Sequence, residues 1–333
     1  MDLTMNYYFA PMEGITGYVF RNTFQEYFGG IHTWFSPFLS PKHDGGLRSG
    51  EIRDILPENN SNVRLVPQIL TNDAAAFRLT AERLKEYGYS EVNLNLGCPS
   101  GTVVAKKKGA GFLAETALLE RFLDEIFSQC PIRISIKTRI GKETPEEFPA
   151  LLELFNQYPV SELIVHPRVQ TDFYKNKPNW EMFAYGADNA SMPVCYNGDL
   201  FTTQDIQQFT TQFPSVQTVM LGRGLLANPG LAAQAEGEKP VDSKTLIAFH
   251  NTLLERYQEI LSGQRNVLFK MKELWVFLVC LFADGEPYAK KNPQGTDVIG
   301  VSESCGQPVC GAGAAGRIGL YRRVNRYYFA GIQ

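Results

Sequence analysis

The chain has no run of about 18 apolar residues, so no segment of it reads as a membrane-spanning helix. Its first residues, MDLTMNYYFAPMEG, lack the basic start, long apolar middle and small-residue cleavage site of a signal peptide, and a cytoplasmic protein is expected. No CxxC pair occurs. The six cysteines (Cys98, Cys130, Cys195, Cys280, Cys305 and Cys310) are scattered, and only Cys305 and Cys310 lie close together, so neither a metal site nor a disulfide framework is indicated. An excess of positive charge is also missing. The net charge of -3 argues against wholesale electrostatic attraction to nucleic acid and leaves room for a local basic surface.

What is present is a repeat of two patterns. Short apolar runs with strand character begin at Asn6 (NYYFAP), His32 (HTWFSP), Arg64 (RLVPQIL), Ser90 (SEVNLNL), Arg133 (RISIKTRI), Glu162 (ELIVHPR), Pro193 (PVCYNGD) and Thr218 (TVMLGRG). Between most of them lie segments such as TNDAAAFRLTAERLKEYG and AETALLERFLDEIFSQC, whose apolar residues recur at three- and four-residue spacing, as a helix packed on one face requires. Helix caps are expected at Asn72 or Asp73, at Thr144 before Pro145, and at Thr202 or Thr203.

Strands without polar alternation, each followed by a helix, imply a parallel sheet buried on both faces. Eight such units in the first 237 residues predict an α/β fold, a closed (β/α)8 barrel. A small helical domain is expected over 241–290. From 291 to 333 the chain turns Gly-rich and aperiodic, and reads either as the product of a frameshift or as a divergent loop ending.

In a barrel the C-terminal ends of the strands converge on one face, where active sites are built. Those ends here carry Pro11-Met12-Glu13, Gln68, Asn95 with Cys98, Lys137 with Arg139, His166 with Arg168, Asn197-Gly198-Asp199, and Gly222-Arg223. Lys137 is flanked by apolar alternation on a central strand, which points an ammonium inward where its charge needs a partner. Glycines after the last two strands offer free N–H groups at a common phosphate position of such barrels, and Arg223 adds a charge-assisted contact. A flat, phosphorylated cofactor across the barrel mouth is therefore expected, and flavin mononucleotide (FMN) fits. Cys98 would then face a substrate stacked on that ring, placed to donate a proton to a carbon–carbon double bond as hydride arrives at the neighbouring carbon.

APMEG, PQIL with Gln68, NLNLGCPS, KTR, VHPR followed by Tyr174, NGD and LGRG, in this order and spacing, together resemble the tRNA-dihydrouridine synthases, and FKMKELW is similar to that family's C-terminal RNA-binding domain. The resemblance implies an FMN enzyme that reduces a uridine in tRNA to 5,6-dihydrouridine, with NADPH or NADH reducing the flavin. It implies hydride transfer to uracil C6 and a proton to C5 from Cys98. By matching position, it assigns Pro11, Met12, Glu13, Gln68, Lys137, His166, Asn197, Gly198, Asp199, Gly222 and Arg223 to the cofactor, and Asn95, Arg139 and Arg168 to the target base. The base must leave its stack to be reached, so Lys106, Lys107 and Lys108, on the loop bearing Cys98, are expected to meet flanking phosphates. A monomer without metal is expected. An FMN barrel acting on a free pyrimidine or enone, or an RNA-binding protein without catalysis, are the competing readings. The first leaves the lysine loop and the helical domain without a role.

Overall fold

The computed structural model describes residues 5–281. The tail from 291, with Cys305 and Cys310, lies outside the described residues. Its strands are β1 (Asn6–Phe9), β2 (Thr33–Phe35), β3 (Leu65–Val66), β4 (Gln68–Ile69), β5 (Glu91–Leu96), β6 (Arg133–Arg139), β7 (Leu163–His166), β8 (Val194–Tyr196) and β9 (Thr218–Leu221). All neighbours pair in parallel, in the order β3-β2-β1-β9-β8-β7-β6-β5-β4.

The eight expected runs all form strand, and the third divides in two. Pro67 has no N–H for a ladder, so the run breaks there, while its carbonyl still accepts from the Asn93 N–H at 2.9 Å. The first half, β3, pairs with β2 and the second half, β4, pairs with β5. One interrupted run therefore joins both ends of the strand order, and the sheet closes as a (β/α)8 barrel.

The described residues fall into two compact units. One holds every strand: the residues up to Tyr18, His32–Gly198 and Gln212–Leu221. Within it the helix Ala74–Glu86 is capped by the Asp73 carboxylate, which accepts from the Ala76 N–H at 3.0 Å. The barrel interior between β1, β2, β3, β7, β8 and β9 is filled by Ala10, Phe35, Val66, Ile164, Cys195 and Met220, with Tyr8 against them. The other unit comprises Val19–Ile31, Asp199–Thr211 and the residues from Gly222 onward. There Phe20, Phe24, Tyr27 and Phe28 surround Phe249 of the helix Ser243–Ile260, with ring centroids 4.8–6.3 Å apart. Arg256 of that helix donates to Thr23 and Glu26 at 2.9 and 2.7 Å. Of the segment expected to be helical, the described part holds the helices Ser243–Ile260 and Gln264–Leu278, and 282–290 lies outside the described residues. No helix of the described residues is long and apolar enough to cross a membrane.

Glu162, just before β7, accepts from the Tyr8 hydroxyl at 3.3 Å. Burial, with Glu91 adding to it, pushes this carboxyl up to about 7, while Tyr8 and Arg64 pull it back. Because its folded value is raised, the stabilising protonated form is complete below the ordinary carboxyl range and is lost as pH rises through about 7. Urea unfolding should therefore show wild-type protein losing about 1–3 kcal/mol between roughly pH 5 and pH 8. Glu162→Gln should lose clearly less. Equal losses would show that Glu162 is not the group responsible.

Candidate active site

The strand register assembles the site's floor. Gln68, Asn93 and Ser135 stand directly opposite one another on β4, β5 and β6, and Asn95 stands opposite Lys137. Side chains on directly opposed positions of paired strands are close enough to bond. The Gln68 amide donates to Asn93 Oδ1 (2.8 Å), the Asn93 amide donates to Ser135 Oγ (3.0 Å), and the Asn95 amide donates to Gln68 Oε1 (2.7 Å). Gln68, Asn93 and Ser135 have no exposure at all.

This network ends at the backbone of Cys98. Asn95 Oδ1 accepts from the backbone N–H groups of Gly97 (3.0 Å) and Cys98 (2.9 Å), a side-chain turn that reverses the chain directly beyond β5. From the far side, Arg139 Nε donates to the Gly97 carbonyl (3.1 Å) and the Gln170 amide donates to the Pro99 carbonyl (3.2 Å). Cys98 is thus fixed by contacts to both of its chain neighbours. Its own carbonyl accepts from Ala110 N–H at 3.1 Å, an approach that needs glycine at 109: a Cβ there would lie 2.8 Å from that oxygen, and the backbone has φ +55°.

Burial pushes the Cys98 thiol above the ordinary thiol range and Glu13 adds to it, against opposing pulls from the Ser100 N–H, Arg139 and Lys137. The thiol is therefore protonated at neutral pH. Lys137 has the reverse problem. Burial first, and then the Arg139 charge, bring its ammonium down to about 8, and among the described residues no hydrogen bond or ion pair reaches it. A desolvated cation of this kind is stabilised by an anion or a negatively polarised ring edge.

Several of the expected site residues are bonded to the protein's own chain. Asn95, expected to face a target base, is buried and spends its amide on Gln68 and the Cys98 turn. Arg139, also assigned to the base, is 1% exposed; besides Gly97 it donates to the carbonyls of Val169 and Phe173, each at 2.8 Å, with the Tyr174 ring 5.5 Å from its guanidinium. Arg168 is fully buried, donating to the Asn176 carbonyl (2.6 Å) and lying 3.1 Å from His166 Nε2. Gln68 is likewise enclosed, bonded at both ends of its amide.

Pro11 and Met12 follow β1 half-buried in a turn where the Met12 N–H donates to Thr16 Oγ1 at 2.9 Å, and Glu13 is exposed. Asn197, half-buried after β8, donates to the Met220 carbonyl (2.7 Å). Gly198 admits no other residue, since a Cβ would meet the Tyr196 hydroxyl at 2.0 Å. Asp199, Gly222 and Arg223 belong to the second unit. There the Asp199 carboxylate pairs with the Arg223 guanidinium at 2.5 Å, so any help Asp199 gives to an anion runs through the arginine.

The three lysines end the short helix Gly101–Val104. Lys107 takes φ +52°, and the bonds Lys108 N–H to Val103 O (3.2 Å) and Lys107 N–H to Val104 O (2.9 Å) close the motif that usually requires glycine there. Asn72, rather than capping the next helix, donates to the carbonyls of Lys106 and Lys107 at 3.1 and 3.2 Å. Lys107 pairs with Glu115 at 3.0 Å, Lys106 is exposed, and Lys108 is half-buried. Asn93, Ser135 and Gln170 are site residues that the strand-end pattern does not single out. The alternation in NLNL does place Asn93 on the Asn95 face, whereas nothing local marks Gln170. Among the described residues no cluster is built to hold a metal.

The fold is a parallel (β/α)8 barrel with Cys98 just beyond β5 and Lys137 on the adjacent β6, both at the C-terminal ends of the strands. The profile described as "Dihydrouridine synthase (Dus)" matches residues 8–281. The chain belongs to the dihydrouridine synthase family. It is 30% identical to a tRNA-dihydrouridine(16) synthase of Aquipseudomonas alcaligenes over 70% of this chain and 77% of that one. It is 29% identical to a tRNA-dihydrouridine(16) synthase of Neisseria meningitidis serogroup B, over 80% and 82%. In fold it is similar to morphinone reductase in complex with tetrahydroNAD (TM-score 0.50, 11% identity, 72% of this chain and 89% of that one). It is also similar in fold to histamine dehydrogenase from Rhizobium sp. 4-9 (TM-score 0.52, 12% identity, 69% and 45%).

Asn95→Ala should leave the Gly97 and Cys98 N–H groups without their acceptor and lower the free energy of unfolding by about 1–3 kcal/mol. Alkylation of Cys98 by iodoacetamide should accelerate in parallel. An unchanged urea midpoint with unchanged labelling would show that the turn does not hold the loop.

Proposed function

We propose that this protein reduces a uridine in tRNA to 5,6-dihydrouridine, using FMN. The observation that carries the proposal is the pairing of a fixed, protonated Cys98 with the unpaired ammonium of Lys137. The fit of the group rests on Lys137: a half-buried cation with no hydrogen-bond or ion-pair partner among the described residues suits the negative edge of a reduced flavin. His166 and Asn197 stand at the ends of adjacent strands where the rest of the cofactor would lie, and Pro11 and Met12 would line its ring. The resemblance alone assigns its phosphate to Gly222 and Arg223.

FMN, when bound, supplies hydride to uracil C6 and draws its electrons from NADPH or NADH. The chain's own part is to place the base and complete the addition. Cys98 donates its proton to C5, and the resulting thiolate recovers a proton from solvent, so that the base gains one hydride and one proton in all. Asn95, Arg139 and Gln170 act as positioning residues, holding the loop so that the thiol meets C5. Raised acidity would be the wrong tuning here, and the burial of Cys98 supplies the opposite.

A uracil inside folded tRNA reaches such a pocket only by leaving its stack, which brings the flanking backbone against the rim. Lys106, exposed on the Cys98 loop, suits a phosphate contact. Lys107 is shared with Glu115 and Lys108 is half-buried, so both contribute less. The curated relatives named for position 16 make that uridine the first to assay.

Purified protein should be yellow, should be bleached by NADPH, and should add two hydrogens to a tRNA uridine by mass spectrometry. Cys98→Ala should lower the rate of tRNA reduction by about 10²–10⁴-fold while leaving bleaching by NADPH unchanged. Wild-type rates in that variant would remove the thiol from the mechanism.

A further inference from the structure

The loop after β7 carries a residue that neither the barrel nor the proposed chemistry uses. Gln170–Asp172 forms a single 3-10 turn, and Phe173 follows it at φ +50° and ψ -94°. Residues other than glycine avoid this region, which lies near the strained form of the three-residue turn. The side chain gains little from burial in compensation, being 36% exposed. A bulky aromatic has thus been placed where backbone strain and exposure both disfavour it, a combination found where function maintains it.

Its position is tightly set. The Arg139 guanidinium that donates to the Phe173 carbonyl (2.8 Å) also donates to the Gly97 carbonyl (3.1 Å), beside Cys98. Gln170, three residues before Phe173, reaches Pro99 on the other side of Cys98 (3.2 Å). The backbone of this exposed residue is therefore tied through one guanidinium to the thiol loop. Beyond it the chain reads Tyr174-Lys175-Asn176-Lys177. Tyr174 turns inward, 5.5 Å from Arg139 and 5.9 Å from the His166 ring, while Lys175 and Lys177 are exposed. An aromatic face followed by alternating cations is the composition that binds unstacked nucleic acid, the ring taking a base and the cations its phosphates.

We propose that Phe173 is a stacking platform for the nucleobase adjacent to the reacting uridine, offering the face that this neighbour loses when the uridine leaves the stack. Lys175 and Lys177 hold the phosphates of the same segment. The proposal rests on the tRNA reading above and adds a specific contact to it.

The test uses full-length protein with Phe173→Gly and Phe173→Trp, reading the Kd for unmodified tRNA, kcat and KM for its reduction, bleaching by NADPH, and the thermal midpoint. Glycine relieves the backbone strain, so Phe173→Gly should melt no lower than wild type. Its Kd and KM for tRNA should nevertheless rise about 5- to 100-fold, the loss of one base–aromatic stack. Bleaching should not change, and Phe173→Trp should keep Kd and KM near wild type. Wild-type Kd and KM in Phe173→Gly would overturn the proposal, as would a lowered melting point that accounts for the loss and is not restored by tryptophan. Wild-type protein that binds tRNA without reducing it would sink the functional reading alone, and a weakened Kd in Phe173→Gly would still support the platform. Wild-type protein that neither binds nor reduces tRNA would overturn both.

Discussion

The guanidinium of Arg139 is the constraint on which the site depends. It is 1% exposed, and burial draws its pKa down. A charge buried this far costs several kcal/mol unless its donors are satisfied. Three backbone carbonyls, from Gly97, Val169 and Phe173, accept its bonds, and the Tyr174 ring lies against it. Because those carbonyls belong to the loops after β5 and β7, satisfying one charge fixes two segments of the barrel mouth together. The placement of the Cys98 loop, and of the Phe173 backbone, follows from that bond set.

The second determinant is electrostatic. In the barrel mouth the thiol and the ammonium are both driven toward their neutral forms, by the same loss of water. For the proposed proton donor Cys98 this is a finished state, since such a group must hold its proton. For Lys137 it is an unfinished one, because a nearby negative group would restore the charge.

Much of this is legible in the amino-acid sequence, for a physical reason. Strand ends in a parallel barrel converge whatever the loop lengths, so the order of residues is enough to gather Cys98, Lys137, His166 and Asn197 on one face. Lys137 betrays itself by sitting in an apolar alternation. What the order of residues does not supply is the partner of each polar side chain. Arg139 and Phe173 are 34 residues apart, and Gln170 and Pro99 are 71 apart, so a residue that builds the wall and one that touches substrate look alike in one dimension. Asn95, Arg139 and Arg168, read in sequence as facing the base, show their bonds to the protein's own chain only in the fold. Likewise Lys107 and Phe173 occupy backbone states that local sequence would assign to glycine, and only the folded loops reveal the strain.

The barrel mouth is proposed to deliver hydrogen to a uracil presented by tRNA rather than to a free small molecule. Anaerobic stopped-flow measurement tests it most directly: the protein is reduced with one equivalent of NADPH and mixed with unmodified tRNA, free uridine or a simple enone, while the return of flavin absorbance is followed. Reoxidation should be fast with tRNA and negligible with uridine and enone. Reoxidation by the enone or by free uridine, with none by tRNA, would contradict the proposal.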